Sequence, residues 1–249
     1  MMNLTPTVKQ LLIINVILFI AASQMPFVQR YFPLYYFEND TFRFWQPLTH
    51  MFMHGNLTHI LFNMFALYSF GSALEHFWGA KKFLFFYISC GLGAALLHTG
   101  ANYFQFNTEL QALLEAGYSK SDIINTLNEN KFNTQWETII GQSGIDSLAG
   151  SFAIPAVGAS GAIYGLLVAF AFMFPNAELA MLFIPIPIKA KYFVTGLIVI
   201  DLILGLKGQS IFGGSGTGIA HFAHVGGALT GFIVMWYWKK SQFKRNRWN

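Results

Sequence analysis

Six long apolar stretches alternate with polar segments along the chain, at about 8–25, 52–74, 82–98, 152–174, 191–206 and 218–238. A helix needs about 20 mainly apolar residues to cross a bilayer. The pattern therefore predicts an all-α fold, a polytopic membrane bundle of six transmembrane helices. These stretches fill about half of the sequence, so one membrane domain over residues 1–249 is expected, with no separate soluble domain.

Two segments break the apolar pattern. Residues 26–50 form an aromatic-rich first loop with Tyr31, Phe32, Tyr35, Tyr36, Phe37, Phe42, Phe44 and Trp45. Aromatic rings prefer the membrane interface, so this loop is read either as an interfacial belt or as a half-buried loop. Residues 99–150 form a polar insertion on the external face. Thr108 with Gln111 and Ser119 with Asp122 have capping-box spacing. The helical spacing of Leu110, Leu113 and Leu114, then of Ile123, Ile124 and Leu127, predicts two short amphipathic helices there. Gly117 stands at a C-cap position between them. A passive insertion is favoured over a cap on a site.

Composition agrees with the pattern. Of 249 residues, 54% are hydrophobic and 10% charged, against about 25% charged in soluble domains. The mean hydropathy is +0.46. The pI near 9.1 raises the question of nucleic acid, but the charge distribution answers it. Lys9, Lys81, Lys82, Lys189, Lys191 and the basic tail Lys239–Arg247 fall on one side of the expected membrane. Arg30, Arg43, Lys120, Lys131 and Lys207 share the other side with Glu38, Asp40, Glu109, Glu115, Asp122, Glu129, Glu137 and Asp146. That is the positive-inside pattern, which puts both termini in the cytoplasm. The tail would lie against anionic lipid headgroups, and no nucleic-acid partner is expected. Reading Lys9 through Ser23 as a cleaved signal segment is set aside, because it would leave five spans and break the charge alternation. Cys90 is alone, so no internal disulfide forms.

Polar residues inside spans are costly unless satisfied, and three spans concentrate them. Gly-x-Ser-Gly occurs three times, at Gly141–Gly144, Gly158–Gly161 and Gly213–Gly216. Only the middle string opens a long apolar helix. Gly158 and Gly161 would let another helix approach and leave Ser160 uncrowded. Ser160 is about eight residues into its span, roughly 12 Å below the external end. Tyr164 is four residues on, hence on the same face. In span six, His224, Gly227 and Gly231 lie along one stripe, and Gly227 with Gly231 makes a Gly-x-x-x-Gly contact face. If that face packs on span four, His224 meets Ser160. A serine needs such a base, and imidazole titrates near neutrality. In span two, His59 and Asn63 are four apart and offer donors for a developing oxyanion. All these groups fall at the external ends of their spans.

These motifs together resemble the rhomboid proteases: His-x-x-x-Asn in span two, Gly-x-Ser-Gly followed by Tyr in span four, and His-x-x-Gly-x-x-x-Gly in span six. The resemblance covers essentially residues 8–238 apart from the insertion. It implies a rhomboid-like bundle and an intramembrane serine protease acting in or near transmembrane helices of protein substrates. It implies Ser160 as nucleophile and His224 as base, in a dyad with no required carboxylate. His59 and Asn63, with the Ser160 N–H, would be oxyanion donors, and Tyr164 would pack against the imidazole. Glu75 looks like the family's glutamate that pins the first external loop or helix ends. The family commonly carries Trp-Arg in the first loop, whereas here Trp45 is followed by Gln46. Span five is the candidate for a moving gate. A bacterial inner membrane is the expected location.

Rival readings are weaker. A metal or haem site would draw on His54, His59, His221 and His224, but the sequence has no His-Glu-x-x-His and no span with ligand-spaced Cys, His or carboxylate groups. No metal or cofactor is therefore expected. An aspartyl protease needs two intramembrane aspartates, and Asp201 is alone. A non-catalytic rhomboid-like binder would lack the Ser–His pair. Pro185 and Pro187 mark a cytoplasmic loop rather than a broken transporter helix. Oligomeric state and substrate sequence are not encoded in these patterns.

Overall fold

The computed structural model describes residues 3–181, 184–207 and 219–245. Eleven α-helices are found among them: α1 Pro6–Gln24, α2 Pro26–Tyr31, α3 Gln46–Thr49, α4 Leu57–Ala66, α5 Ser72–Trp78, α6 Ala80–Glu115, α7 Lys120–Asn128, α8 Glu137–Ala153, α9 Ser160–Met173, α10 Ala190–Lys207 and α11 Ile219–Arg245. A π-helical turn, Leu67–Gly71, joins α4 to α5. The strands β1 Glu178–Met181 and β2 Ile184–Lys189 form an antiparallel hairpin between α9 and α10. The all-α expectation thus needs this one amendment, at the loop that Pro185 and Pro187 mark.

Three described helices are long and apolar enough to cross a membrane: Pro6–Gln24, Leu57–Trp78 and Ala80–Glu115. Ser160–Met173 is apolar but shorter. Its 14 residues extend about 21 Å, short of a hydrocarbon core of ~30 Å. The expected span from 152 therefore begins differently. Helix α8 ends at Ala153, the chain crosses 154–159 without helix, and α9 starts at Ser160 itself. Ser160 is the first residue of its helix, not the eighth.

Non-helical backbone at membrane depth must find partners inside the protein. Leu34 and Ala156 exchange a pair of backbone hydrogen bonds, of 2.9 and 2.8 Å. The Gly158 N–H donates to the His50 carbonyl at 2.9 Å. Both acceptors lie in the first loop, which is half-buried rather than merely interfacial, with Leu34 and Tyr36 each 1% exposed. Gln46 holds that loop together from a fully buried position. Its amide accepts from Tyr35 N and donates to the carbonyls of Thr41 and Tyr31.

The core is assembled around a glycine seam. Side chains cannot be added to its residues: a Cβ on Gly227 would overlap the Gly161 carbonyl, and one on Gly231 would sit 2.8 Å from the Gly165 Cα. Likewise a Cβ on Gly226 would lie 2.7 Å from the Gly93 carbonyl oxygen. Helices α6, α9 and α11 therefore pack backbone to backbone, the geometry that small residues permit between membrane helices. Around this seam lie Phe83, Phe86, Tyr87, Cys90, Leu166 and Ala169, all fully buried.

At the start of α1, the Glu75 carboxylate accepts from Thr7 N and Val8 N at 2.9 Å and from Thr5 Oγ1 at 2.6 Å. It satisfies N–H groups that the first turn of any helix leaves open. Of the two anchoring roles expected for it, the structure has the helix end.

The insertion differs from its sequence reading. Helix α6 runs unbroken for 36 residues, about 54 Å, and absorbs the first expected amphipathic helix. Thr108 is not a cap, since its hydroxyl bonds the Phe104 carbonyl within α6. Helix competence through 99–115 outweighs the capping motif, because N–H groups already paired inside a helix do not need a cap. Ser119 does cap α7, accepting from Asp122 N, and Gly117 turns the chain at φ +94°. Helices α7 and α8 fold on the end of α6 around a second core of Phe106, Leu110, Leu113, Ile123, Leu127 and Trp136. Tyr36 joins that core from the first loop, 5.0 Å from the Phe106 ring.

The seam makes a direct prediction. Gly231→Val should destabilise the fold by about 1–3 kcal/mol or more through overpacking, read as a lower thermal midpoint in detergent. Gly196→Val, where a Cβ meets nothing, should shift it far less.

Candidate active site

Helix α9 opens with a bare N-terminus. Its cap residue, Ala159, has no side chain to accept from the first turn, and the first helical bond is Ile163 N to the Ala159 carbonyl. The N–H groups of Ser160, Gly161 and Ala162 therefore have no intrahelical acceptor. The helix dipole adds partial positive charge at the same point.

The seam brings α11 against this end. The Ser160 hydroxyl lies 2.9 Å from His224 Nε2. On the far side of the ring, His224 Nδ1 is 3.2 Å from Asp201 Oδ1. A carboxylate oxygen can only accept, so this contact puts the proton on Nδ1 and leaves Nε2 free to accept from the serine. Tyr164 stacks on the imidazole, with ring centroids 4.3 Å apart and planes 10° from parallel. Its hydroxyl donates to Asp201 Oδ2, and His221 Nδ1 donates to Asp201 Oδ1. Asp201, 1% exposed on α10, thus gathers three donors from α9 and α11.

Helix α4 closes the third side. The Asn56 side chain caps it by accepting from His59 N at 2.8 Å. The Gly55 N–H points to His59 Nδ1 at a long 3.5 Å, which favours the tautomer with its proton on Nε2. That Nε2 faces Gly158. A Cβ built on Gly158 would stand 2.8 Å from His59 Nε2 and 3.4 Å from Ser160 Oγ. The missing side chain therefore leaves open the space between imidazole and hydroxyl. Gly158 has φ +125°, a conformation suited to glycine. It lies in the extended approach to α9 and not in the helix seam where it was expected. Asn63, one turn from His59, is 6% exposed. Its Nδ2 has no hydrogen-bond partner among the described residues, a costly state for a buried amide.

The structure thus brings together Ser160, His224, Tyr164 and His59, and packs Gly161 against Gly227. Of the other two Gly-x-Ser-Gly strings, Ser143 is exposed on α8, and Gly213–Gly216 lies outside the described residues. Sequence reasoning missed two partners. His221 enters the sequence reading as a rival metal ligand, and Asp201 as a lone acid that cannot make an aspartyl pair. The expected dyad requires no carboxylate, and here the Asp201 carboxylate touches its imidazole. Two helices together, α10 and α11, bring the ligand atoms of Asp201, His221 and His224 within 4.8 Å of one another. Asp201 being the lone acid in an apolar span was the available signal.

These features define a class first: a helical membrane protein with a hydrogen-bonded serine–histidine pair inside its bundle. The Rhomboid domain family model matches residues 41–120 and 132–241, and the chain belongs to the rhomboid family. It is 27% identical over 197 residues to Rhomboid protease AarA of Providencia stuartii, covering 76% of this chain and 54% of that protein. It is 24% identical over 196 residues to the mitochondrial Rhomboid protein 1 of Saccharomyces cerevisiae, covering 79% and 42%. The mitochondrial Presenilin-associated rhomboid-like protein A of Danio rerio matches at 24% over 234 residues, covering 93% and 46%. The chain spans about half the length of these curated relatives.

One flanking histidine carries a pH prediction. His50, 4% exposed in the first loop, donates through Nδ1 to the Gln46 carbonyl at 3.1 Å. Burial, then the nearby His98, lowers its pKa from 6.5 to about 4. The unfolded chain therefore takes up this proton first as pH falls. The neutral ring's contribution to stability is complete above pH ~6.5 and is lost on the way down to about 4. The thermal midpoint in detergent should fall from pH 7 to pH 5, and His50→Gln should flatten that dependence.

Proposed function

We propose that this chain is an intramembrane serine endopeptidase that hydrolyses peptide bonds in or near the transmembrane helices of protein substrates. The observation that carries the reading is the 2.9 Å contact of Ser160 Oγ with His224 Nε2, made across 64 residues inside an apolar bundle. Membership of a family that includes proteases supports it.

In this reading His224 Nε2 takes the Ser160 hydroxyl proton while Oγ attacks the scissile carbonyl. The carbonyl oxygen becomes an oxyanion in the space beside Gly158. It accepts from the free Ser160 N–H, from His59 Nε2 and from the unpartnered Asn63 amide. Donors fixed in advance are worth a few kcal/mol each in such a site. The tetrahedral intermediate collapses as His224 returns the proton to the leaving amine. A water molecule, deprotonated by the same Nε2, then attacks the acyl-serine, and His224 returns that proton to Ser160 Oγ as the acyl bond breaks and the carboxylic product leaves. Tyr164 holds the imidazole plane nearly parallel to its own ring.

The same proposal includes six spans, with α9, α10 and α11 completing the three long apolar ones, and both termini in the cytoplasm of a bacterial inner membrane. It treats the chain as one membrane domain with an external insertion over about 99–150, seated on an extended α6. Helix α10 is the proposed gate. Its N-terminal half borders, with α9 and α11, an apolar cavity of about 410 Å³ lined by Val168, Phe172, Val194, Ile198, Val225 and Leu229. A second reading, metal binding at Asp201, His221 and His224, draws on the convergence of their ligand atoms.

A fluorophosphonate probe on the purified, detergent-solubilised protein separates these readings. Wild type should label, and Ser160→Ala and His224→Ala should each reduce labelling to background with non-additive effects. His59→Ala and Asn63→Ala should each slow it by about 10²–10³-fold. Labelling that survives Ser160→Ala would sink the assignment. Labelling abolished by a chelator and restored by zinc would favour the metal reading.

A further inference from the structure

We infer that Asp201 is a positioning residue for His224, so that the catalytic pair works as a Ser160–His224–Asp201 relay whose acid is supplied by α10. The inference rests on the protease reading above and adds a residue that the dyad does not contain.

Three observations carry it. The first is geometric: His224 makes one contact from each ring nitrogen, Nε2 to Ser160 at 2.9 Å and Nδ1 to Asp201 at 3.2 Å. Only the tautomer with its proton on Nδ1 satisfies both, because the carboxylate accepts and cannot donate. That is the tautomer in which Nε2 can act as a base, and the positive imidazolium formed during attack would face a negative group. The second is cost. Asp201 is 1% exposed in an otherwise apolar segment of α10, Gly196 through Gly205. A buried carboxylate survives there only if well paired, and its partners among the described residues belong to the site: Tyr164 on α9, and His221 and His224 on α11. The third is the stacking. Tyr164 lies flat on His224 and bonds the other oxygen of the same carboxylate. Ring plane and carboxylate are thus held by one pair of side chains. The groups facing His224 are accordingly Ser160 and Tyr164 from α9, Asp201 from α10, His221 from its own helix and His59 from α4.

A mechanical consequence follows from which helix carries the acid. Helix α10 meets α11 closely near Gly205, where a Cβ would be 3.3 Å from the His221 Cβ. Its first half borders the apolar cavity through Val194 and Ile198. Asp201 sits at the seated end, so tilting α10 outward from that end would draw the carboxylate off Nδ1. Substrate access past α10 and readiness of the base are then coupled through one hydrogen bond.

The test compares fluorophosphonate labelling kinetics of wild type, Asp201→Asn and Tyr164→Phe in detergent. In Asp201→Asn the near-isosteric amide can donate to Nδ1, moving the proton to Nε2 and disabling the base. The maximal labelling rate should fall about tenfold to a thousandfold, with the probe concentration at half-maximal rate changed less than about twofold. Wild-type kinetics in a folded Asp201→Asn protein would overturn the inference. Should that variant fail to fold, ¹⁵N-histidine NMR of the wild type decides, with His224 identified through His224→Gln. A resting His224 protonated on Nδ1, with a downfield hydrogen-bonded proton that Tyr164→Phe alters but does not remove, supports the relay. A resting His224 protonated on Nε2 overturns it. This readout needs no turnover, so an inert wild type with the Nδ1–H tautomer would fail the protease reading and leave the positioning role standing.

Discussion

The arrangement depends on how closely two helix backbones approach. Gly161 and Gly165 on α9 face Gly227 and Gly231 on α11 with no room for a Cβ between them. A histidine side chain reaches only a few ångströms beyond its backbone. With ordinary residues in the seam the helix axes would stand farther apart, and the imidazole of His224 would fall short of Ser160 Oγ. Because apolar side chains gain little from leaving lipid for one another, close van der Waals packing is the main force available to hold such a seam. The same glycines therefore stabilise the bundle and set the distance across the site.

A second constraint is backbone satisfaction. Starting α9 at Ser160 leaves free N–H groups beside the hydroxyl, but it requires a non-helical approach over 154–159. The first loop meets that requirement through the Leu34–Ala156 pair and the His50–Gly158 bond. Gln46 in turn fixes the loop with a fully buried amide. It stands where the family commonly has arginine, and an uncharged amide can satisfy several backbone groups without the burial cost of a guanidinium. The aromatic loop is thus part of the frame of the site and not merely an interfacial belt.

The insertion stands apart from this machinery in its core but not in its attachments. It grows from α6, which carries Gly93 and Ala94 into the seam, and ends in α8, which leads into the approach to Ser160. Tyr36 links its core to the first loop. An unbroken α6 therefore connects the insertion to the helix packing around the proposed nucleophile.

Much of this was legible in the residues. Apolar run length marks a membrane bundle, because water and lipid sort side chains before any tertiary contact forms. The stripes His59–Asn63 and His224–Gly227–Gly231 follow from helical period alone, and Ser160 was singled out as the serine heading an apolar run, which folds as the 14-residue α9. Local signals failed where a longer-range alternative satisfied the same groups: Thr108 was absorbed into α6, and the span expected from residue 152 began at Ser160. What sequence could not disclose was the company of Asp201. A lone aspartate has no period and no motif, and its three partners lie 20, 23 and 37 positions away. Which helices carry the site was set by the order of residues. That α10 would turn its single acid toward the imidazole was decided by packing, because only the folded bundle offers that carboxylate enough donors to remain buried.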